Sequence, residues 1–102
     1  MEIDLNGFLG MLGLAKRAGK VVTGEDKCSK AIKSGGAKLV IIATDASSNT
    51  KKAVADSCNY YGVRYIETAS KAELGKYTGA ENRAVVSVDD SNFAKAILDK
   101  LN

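Results

Sequence analysis

Three lysines follow one glycine at helical spacing: Lys27, Lys30 and Lys33 come after Gly24. At about 100° per residue they share an arc of roughly 120°, while Cys28, Ala31 and Ile32 centre on the opposite side. Val21-Val22-Thr23 before them is a short apolar run, so the stretch reads strand, glycine turn, helix. Glycine takes backbone angles closed to other residues and lets another molecule approach the main chain. The helix behind it leaves its first N–H groups unpaired and turns the positive end of its dipole outward. That is an anion site, and three ammonium groups beside it suit a phosphate-rich partner. The plain rival is a solvated face on an amphipathic helix. The glycine turn at the same helix end favours the anion site.

Composition closes other routes. The chain has no histidine, which removes a zinc site of the usual four N/S ligands and both Ser-His-Asp and Cys-His catalysis. No nucleophile–base pair or metal cluster stands out, and only a Lys–Asp pair assembled by folding would support chemistry. The expectation is a non-catalytic protein with no cofactor and no metal. Gly13 to Gly19-Lys20 imitates a phosphate-binding P-loop, but it has one residue too many between the glycines. Val21 also stands where Ser or Thr should bind magnesium, and a helix precedes the run where a strand is required. A net charge of +3 over 102 residues makes any nucleic-acid footprint a local patch. The start, Met1-Glu2-Ile3-Asp4-Leu5-Asn6, lacks the features of a signal peptide, and no apolar run reaches membrane-spanning length. A cytoplasmic protein is expected, with Cys28 and Cys58 as buried reduced thiols.

The positioning elements follow from periodicity. Residues 4–18 read as a helix with Phe8, Leu9, Leu12 and Ala15 on one face and Gly19 at its end. Gly7, Gly10 and Gly13 weaken it, and close packing against a sheet would explain them. After Gly35-Gly36, residues 38–43 form a strand apolar on both faces, hence central. The polar run 44–50 leads into a helix with Val54, Cys58 and Tyr61 inward and Gly62 as its stop. Residues 63–67 make a short strand. Ser70-Lys71-Ala72-Glu73 is a capping box opening a helix that ends near Gly75. A connection holding Gly79 leads to the last strand, 84–88, and Asp90-Ser91 caps a final helix with Phe93, Ala94, Ile97 and Leu101 inward. Alternating strands and helices predict one α/β domain spanning 1–102, with a largely parallel sheet covered on both faces. Ligands of such sheets gather at the strand ends, here the loops 23–27, 44–51 and 77–83.

At this point the residues resemble the kink-turn-binding ribosomal protein superfamily, the group of the archaeal large-subunit seven-A-e and eukaryotic thirty-e proteins. The resemblance rests on Leu12-Gly13-Leu14-Ala15-Lys16-Arg17-Ala18-Gly19-Lys20, Gly24-Glu25-Asp26 and Ser29-Lys30-Ala31. Residues 37–46 and Ser70-Lys71-Ala72-Glu73-Leu74-Gly75-Lys76 extend it over nearly the whole chain. Asp45-Ala46-Ser47-Ser48-Asn49-Thr50 and Cys58-Asn59-Tyr60-Tyr61 bring it nearest to the bacterial YlxQ-like branch. The resemblance implies a three-layer α-β-α sandwich around a four-stranded mixed sheet. It implies structured RNA as partner, a sharp bend flanked by tandem G·A pairs, with ribosomal RNA and a ribosome or translation-factor association among the possibilities and no membrane. The RNA-binding positions carried over are Lys20, Gly24, Glu25, Asp26, Lys27 and Lys30, with Ala80, Asn82 and Arg83 in the loop that meets an extruded nucleotide.

Best-known members carry Asn-Glu where this chain has Asp26-Lys27. Asp only accepts and Lys only donates. The pair still suits guanine, with Asp26 accepting from its N–H groups and Lys27 donating to O6 or N7. Asp26 also reads simply as an acid favoured by the helix dipole. Lys33, Lys51 and Lys52 are expected to be solvated, Tyr77 either to stack on a base or to pack, and Tyr60 and Tyr61 to be structural. The rival function is a protein-interaction adaptor on the same fold.

Overall fold

Side-chain caps fix where most helices begin. The computed structural model describes residues 4–101, so the leader reading at residues 1–3 lies outside them. α1 (Leu5–Arg17) starts at Asp4, whose carboxylate accepts from the Gly7 N–H at 2.9 Å. β1 (Val21–Thr23) runs into Gly24 and α2 (Glu25–Ser34), followed by β2 (Leu39–Ile42). α3 (Ser48–Tyr61) is capped by the Ser47 hydroxyl on the Thr50 N–H, and leads to β3 (Tyr65–Glu67). α4 (Lys71–Thr78) opens on the predicted box, with Ser70 and Glu73 bonding each other's N–H groups at 3.0 and 3.1 Å. β4 (Val85–Val88) precedes α5 (Ser91–Asp99), which Asp90 caps through the Phe93 N–H. Such caps contribute about 0.5–2 kcal/mol each.

The four strands lie in the order β1-β4-β2-β3. Only β2 and β3 pair in parallel, while β4 runs antiparallel to both β1 and β2. The sheet is mixed, as the resemblance implies, and the largely parallel sheet expected from strand–helix alternation is corrected. The reason is the loop after α4: the chain doubles back along the helix, Ala80 N–H bonding Gly75 C=O and Arg83 N–H bonding Lys71 C=O. It therefore enters β4 at the edge where β1, β2 and β3 finish.

α2 and α3 cover one face of the sheet, and α1, α4 and α5 form the other layer. β2 and β4 are buried along their whole length, so both faces of the two inner strands are core. Phe8, Leu9, Leu12 and Ala15 seal one side and Cys28, Ala31, Ile32 and Cys58 the other. Buried Ser87 is satisfied by donating to Asp89 at 2.6 Å.

Several sequence readings change. α4 continues through Gly75 to Thr78, because that glycine is not a stop. A Cβ there would sit 2.6 Å from the Glu81 carbonyl oxygen, so Gly75 lets the returning loop lie against the helix. The glycines of α1 do not serve sheet packing: Gly7 makes room for the Asp4 cap, Gly10 is exposed, and Gly13 faces Tyr77 of α4. Tyr61 leaves the inner stripe at the C-terminal end of α3 and is exposed, its ring edge-on to that of exposed Tyr60. Lys51 pairs with Glu67 at 2.8 Å and Lys52 with Asp56 at 2.9 Å, so neither is simply solvated.

Two stability tests follow from the glycines. Gly75→Ala should cost about 1–3 kcal/mol, since the clash is with main chain, whereas Gly10→Ala should gain up to about 1 kcal/mol. Urea titrations of both variants check the opposite signs. The thiols provide another test. Burial, then the Asp89 charge, pushes the Cys28 thiol up to about 12, and burial pushes Cys58 to about 11. Both should resist thiol reagents in the native protein at mildly alkaline pH and react in concentrated urea. Unfolded thiols ionise first, so stability should hold below the ordinary value of 9.0 and fall as pH rises toward 11 and 12.

Candidate nucleic-acid interface

Gly24 has φ 94° and ψ 152°, a backbone region open essentially to glycine alone. Its N–H bonds to Val85 C=O at 3.1 Å, which fixes the turn to the start of β4, and its C=O accepts from Cys28. α2 begins here without a side-chain cap, unlike the other four helices of the described residues. Its first N–H groups therefore face outward, unpaired among the described residues. Lys27 and Lys30 are exposed on the same side, and neither joins an ion pair among the described residues. Asp26 is exposed beside them, at the rim of a cleft between α2 and α3.

The strand ends are tied together by side chains. Arg83 Nε donates to Thr23 Oγ1 at 3.0 Å, clasping the 79–84 loop to the residue before Gly24. Thr50 donates its hydroxyl to Glu25 at 2.7 Å, joining the starts of α2 and α3. Asp45 accepts from the Lys71 N–H at 2.8 Å, joining the loop after β2 to the start of α4. The three loops singled out from the sequence thus form one linked edge.

The individual positions separate within it. Gly24, Asp26, Lys27, Lys30 and Arg83 converge on the turn. Glu25 is adjacent, but its carboxylate is engaged by α3. Ala80 is half-buried with its N–H held by Gly75, and Asn82 is exposed with its C=O accepting from the Arg83 guanidinium at 3.3 Å. Lys20 is not brought to the turn: it precedes β1 at the far end of the strand, about 13 Å along four residues, where its C=O accepts from Asp89 N–H. Thr23, Asp45, Thr50 and Lys71 shape the edge without having been chosen from the sequence. Asp45 and Thr50 lie in the cap-rich run 44–50, within a strand-end loop that the sequence had already singled out. Tyr77 is half-buried against Gly13, a packing position.

The arrangement defines a class: a small α-β-α domain with an open, basic helix start beside a clasped loop. The sequence matches the Ribosomal protein L7Ae/L30e/S12e/Gadd45 family over residues 8–98, and the chain belongs to that family. It is similar to the RNA-binding protein YlxQ of Bacillus subtilis (strain 168), 51% identical over 92 residues, covering 90% of this chain and 92% of that one. It is 34% identical over 98 residues to the large ribosomal subunit protein eL8 of Cenarchaeum symbiosum (strain A), 95% of this chain and 78% of that one. Among solved structures, a Bacillus halodurans protein of unknown function superposes with TM-score 0.87 at 34% identity, covering 91% and 94% of the two chains. A Giardia lamblia 15.5kD RNA binding protein shares the fold, with TM-score 0.77 at 23% identity over 94% and 82%. The family read from the sequence is thereby established, and a non-catalytic protein accords with membership of a ribosomal-protein family. No helix among the described residues is long and apolar enough to cross a membrane.

The backbone at Gly24 makes a direct test. Gly24→Ala should cost about 1–3 kcal/mol although no atom lies within 4 Å of the added Cβ. Loss of stability in urea without any steric clash identifies strain at this turn as the cause.

Proposed function

We propose that this protein is a non-catalytic binder of structured RNA of the kink-turn type, working in the cytoplasm with ribosomal RNA within its target class. The observation that carries the reading is the start of α2: the one helix among the described residues without a side-chain cap, exposed, flanked by Lys27 and Lys30, and clasped beside the Arg83 loop. A bent RNA would set its backbone against the Gly24 turn, where N–H groups and lysines meet phosphate oxygens. Asp26 would accept from guanine N–H groups while Lys27 donates to O6 or N7. The exposed 81–82 segment would meet the nucleotide extruded at the bend, with Arg83 behind it. RNA binding named for the Bacillus subtilis relative supports the class of partner.

The test is binding to a kink-turn RNA, a matched straight duplex and a kink-turn lacking its G·A pairs, at two salt concentrations. The kink-turn should be preferred. Lys27→Ala should lose about 1–3 kcal/mol together with that preference, whereas Lys30→Ala should weaken all RNAs and flatten the salt slope by about one. Equal binding to all three RNAs would reduce the protein to a nonspecific polyanion binder. Absence of binding would transfer the edge to a protein partner.

A further inference from the structure

Three of the clefts among the described residues differ in charge. The one between α2 and α3, about 210 Å³, carries Glu25 and Asp26 and no cation. The one at the far end of the sheet, about 430 Å³, has Lys38, Arg64 and Lys95 but also Asp99. The third, about 360 Å³, lies between α1 and α4 and holds Lys16, Arg17 and Lys76 with no carboxylate in its lining. All three of these cations are exposed, and none is ion-paired among the described residues. Lys76 Nζ lies 5.8 Å from the centroid of the Tyr77 ring, which forms part of the same groove.

We propose that the α1/α4 groove is a second phosphate-contact surface, holding the backbone of a stem that continues from the RNA docked at Gly24. The inference rests on RNA docking at that turn, and the geometry supplies the path. Gly79 lines the groove and begins the loop that ends at Arg83, clasped to Thr23. That loop retraces α4, because Ala80 bonds Gly75 and Arg83 bonds Lys71. The groove therefore lies about one α4 length, roughly 12 Å, from the Gly24 edge. At one phosphate per about 3.4 Å of each strand in a duplex, three or four phosphates bridge that span. Nothing in the lining repels them.

The three cations also sit in the last turns of α1 and α4, where the helix dipole favours them. That role alone would alter thermal stability and leave RNA affinity untouched, so the two explanations separate by experiment. Three RNAs would be compared: a minimal kink-turn, and the same element with either stem lengthened by about one helical turn. Wild-type protein would be run beside the triple variant Lys16→Ala, Arg17→Ala, Lys76→Ala. A charge-matched triple variant, Lys38→Ala, Arg64→Ala, Lys95→Ala, would serve as control, with melting curves for each.

Wild type should bind one lengthened RNA about tenfold more tightly than the minimal one, with a steeper salt dependence. The groove variant should lose that gain and flatten the slope by about one for each phosphate contact removed, while binding the minimal RNA as wild type does. The control should keep the gain. Minimal RNA bound normally with no gain from either stem overturns the groove inference alone. A gain that survives in the groove variant, or disappears equally in the control, overturns it as well. Failure of wild type to bind the minimal kink-turn overturns the docking at Gly24 and this inference with it.

Discussion

The reversed direction of β4 is the constraint on which this molecule turns. The loop after α4 doubles back along that helix, so the last strand starts where the first three stop. Two consequences are geometric. The loop before β4 arrives beside the turn after β1, and Gly24 N–H bonds directly to Val85. A wholly parallel arrangement of the same four strands would place that loop at the opposite end, about one strand length from Gly24.

The same topology gathers charge. α2, α3 and α4 all begin at this edge, each with the positive end of its dipole facing out, whereas α5 begins at the other. α3 and α4 spend that potential internally, on Ser47 for one and on Ser70 and Asp45 for the other. α2 does not. The Thr50–Glu25 hydrogen bond also draws one of its two leading carboxylates toward α3, leaving Asp26 as the acid nearest the open N–H groups. Backbone geometry as much as lysine count thus sets the local charge at this edge of a weakly basic protein.

Much of this was legible because it is periodic or local. The inward faces of α1 and α2, the doubly buried inner strands and the capping box at Ser70 are readable from spacing over a few residues. The direction of β4 was not, because strand–helix alternation says nothing about where a short helix returns the chain; only the family resemblance implied a mixed sheet. Gly75 looked like a stop since its role depends on Glu81, a contact made only after the loop folds back. Tyr61 fitted the inner stripe by spacing, yet Gly62 ends the helix one residue later and the side chain stays in solvent. The Arg83–Thr23 clasp joins residues sixty apart, and no local pattern encodes it.

The missing cap has a consequence for how such a domain can diversify. At most helix starts the residues around the first turn are committed to holding the helix, so changing them weakens the protein. Here the strand-end bonds of Thr23, Thr50 and Val85 hold the turn, and no described hydrogen bond or ion pair to the rest of the fold engages the side chains of Asp26, Lys27 or Lys30. Those three positions are free to drift through many combinations at nearly constant folding stability. Side-chain changes there therefore alter what the start of α2 presents to solvent without first requiring compensating changes elsewhere.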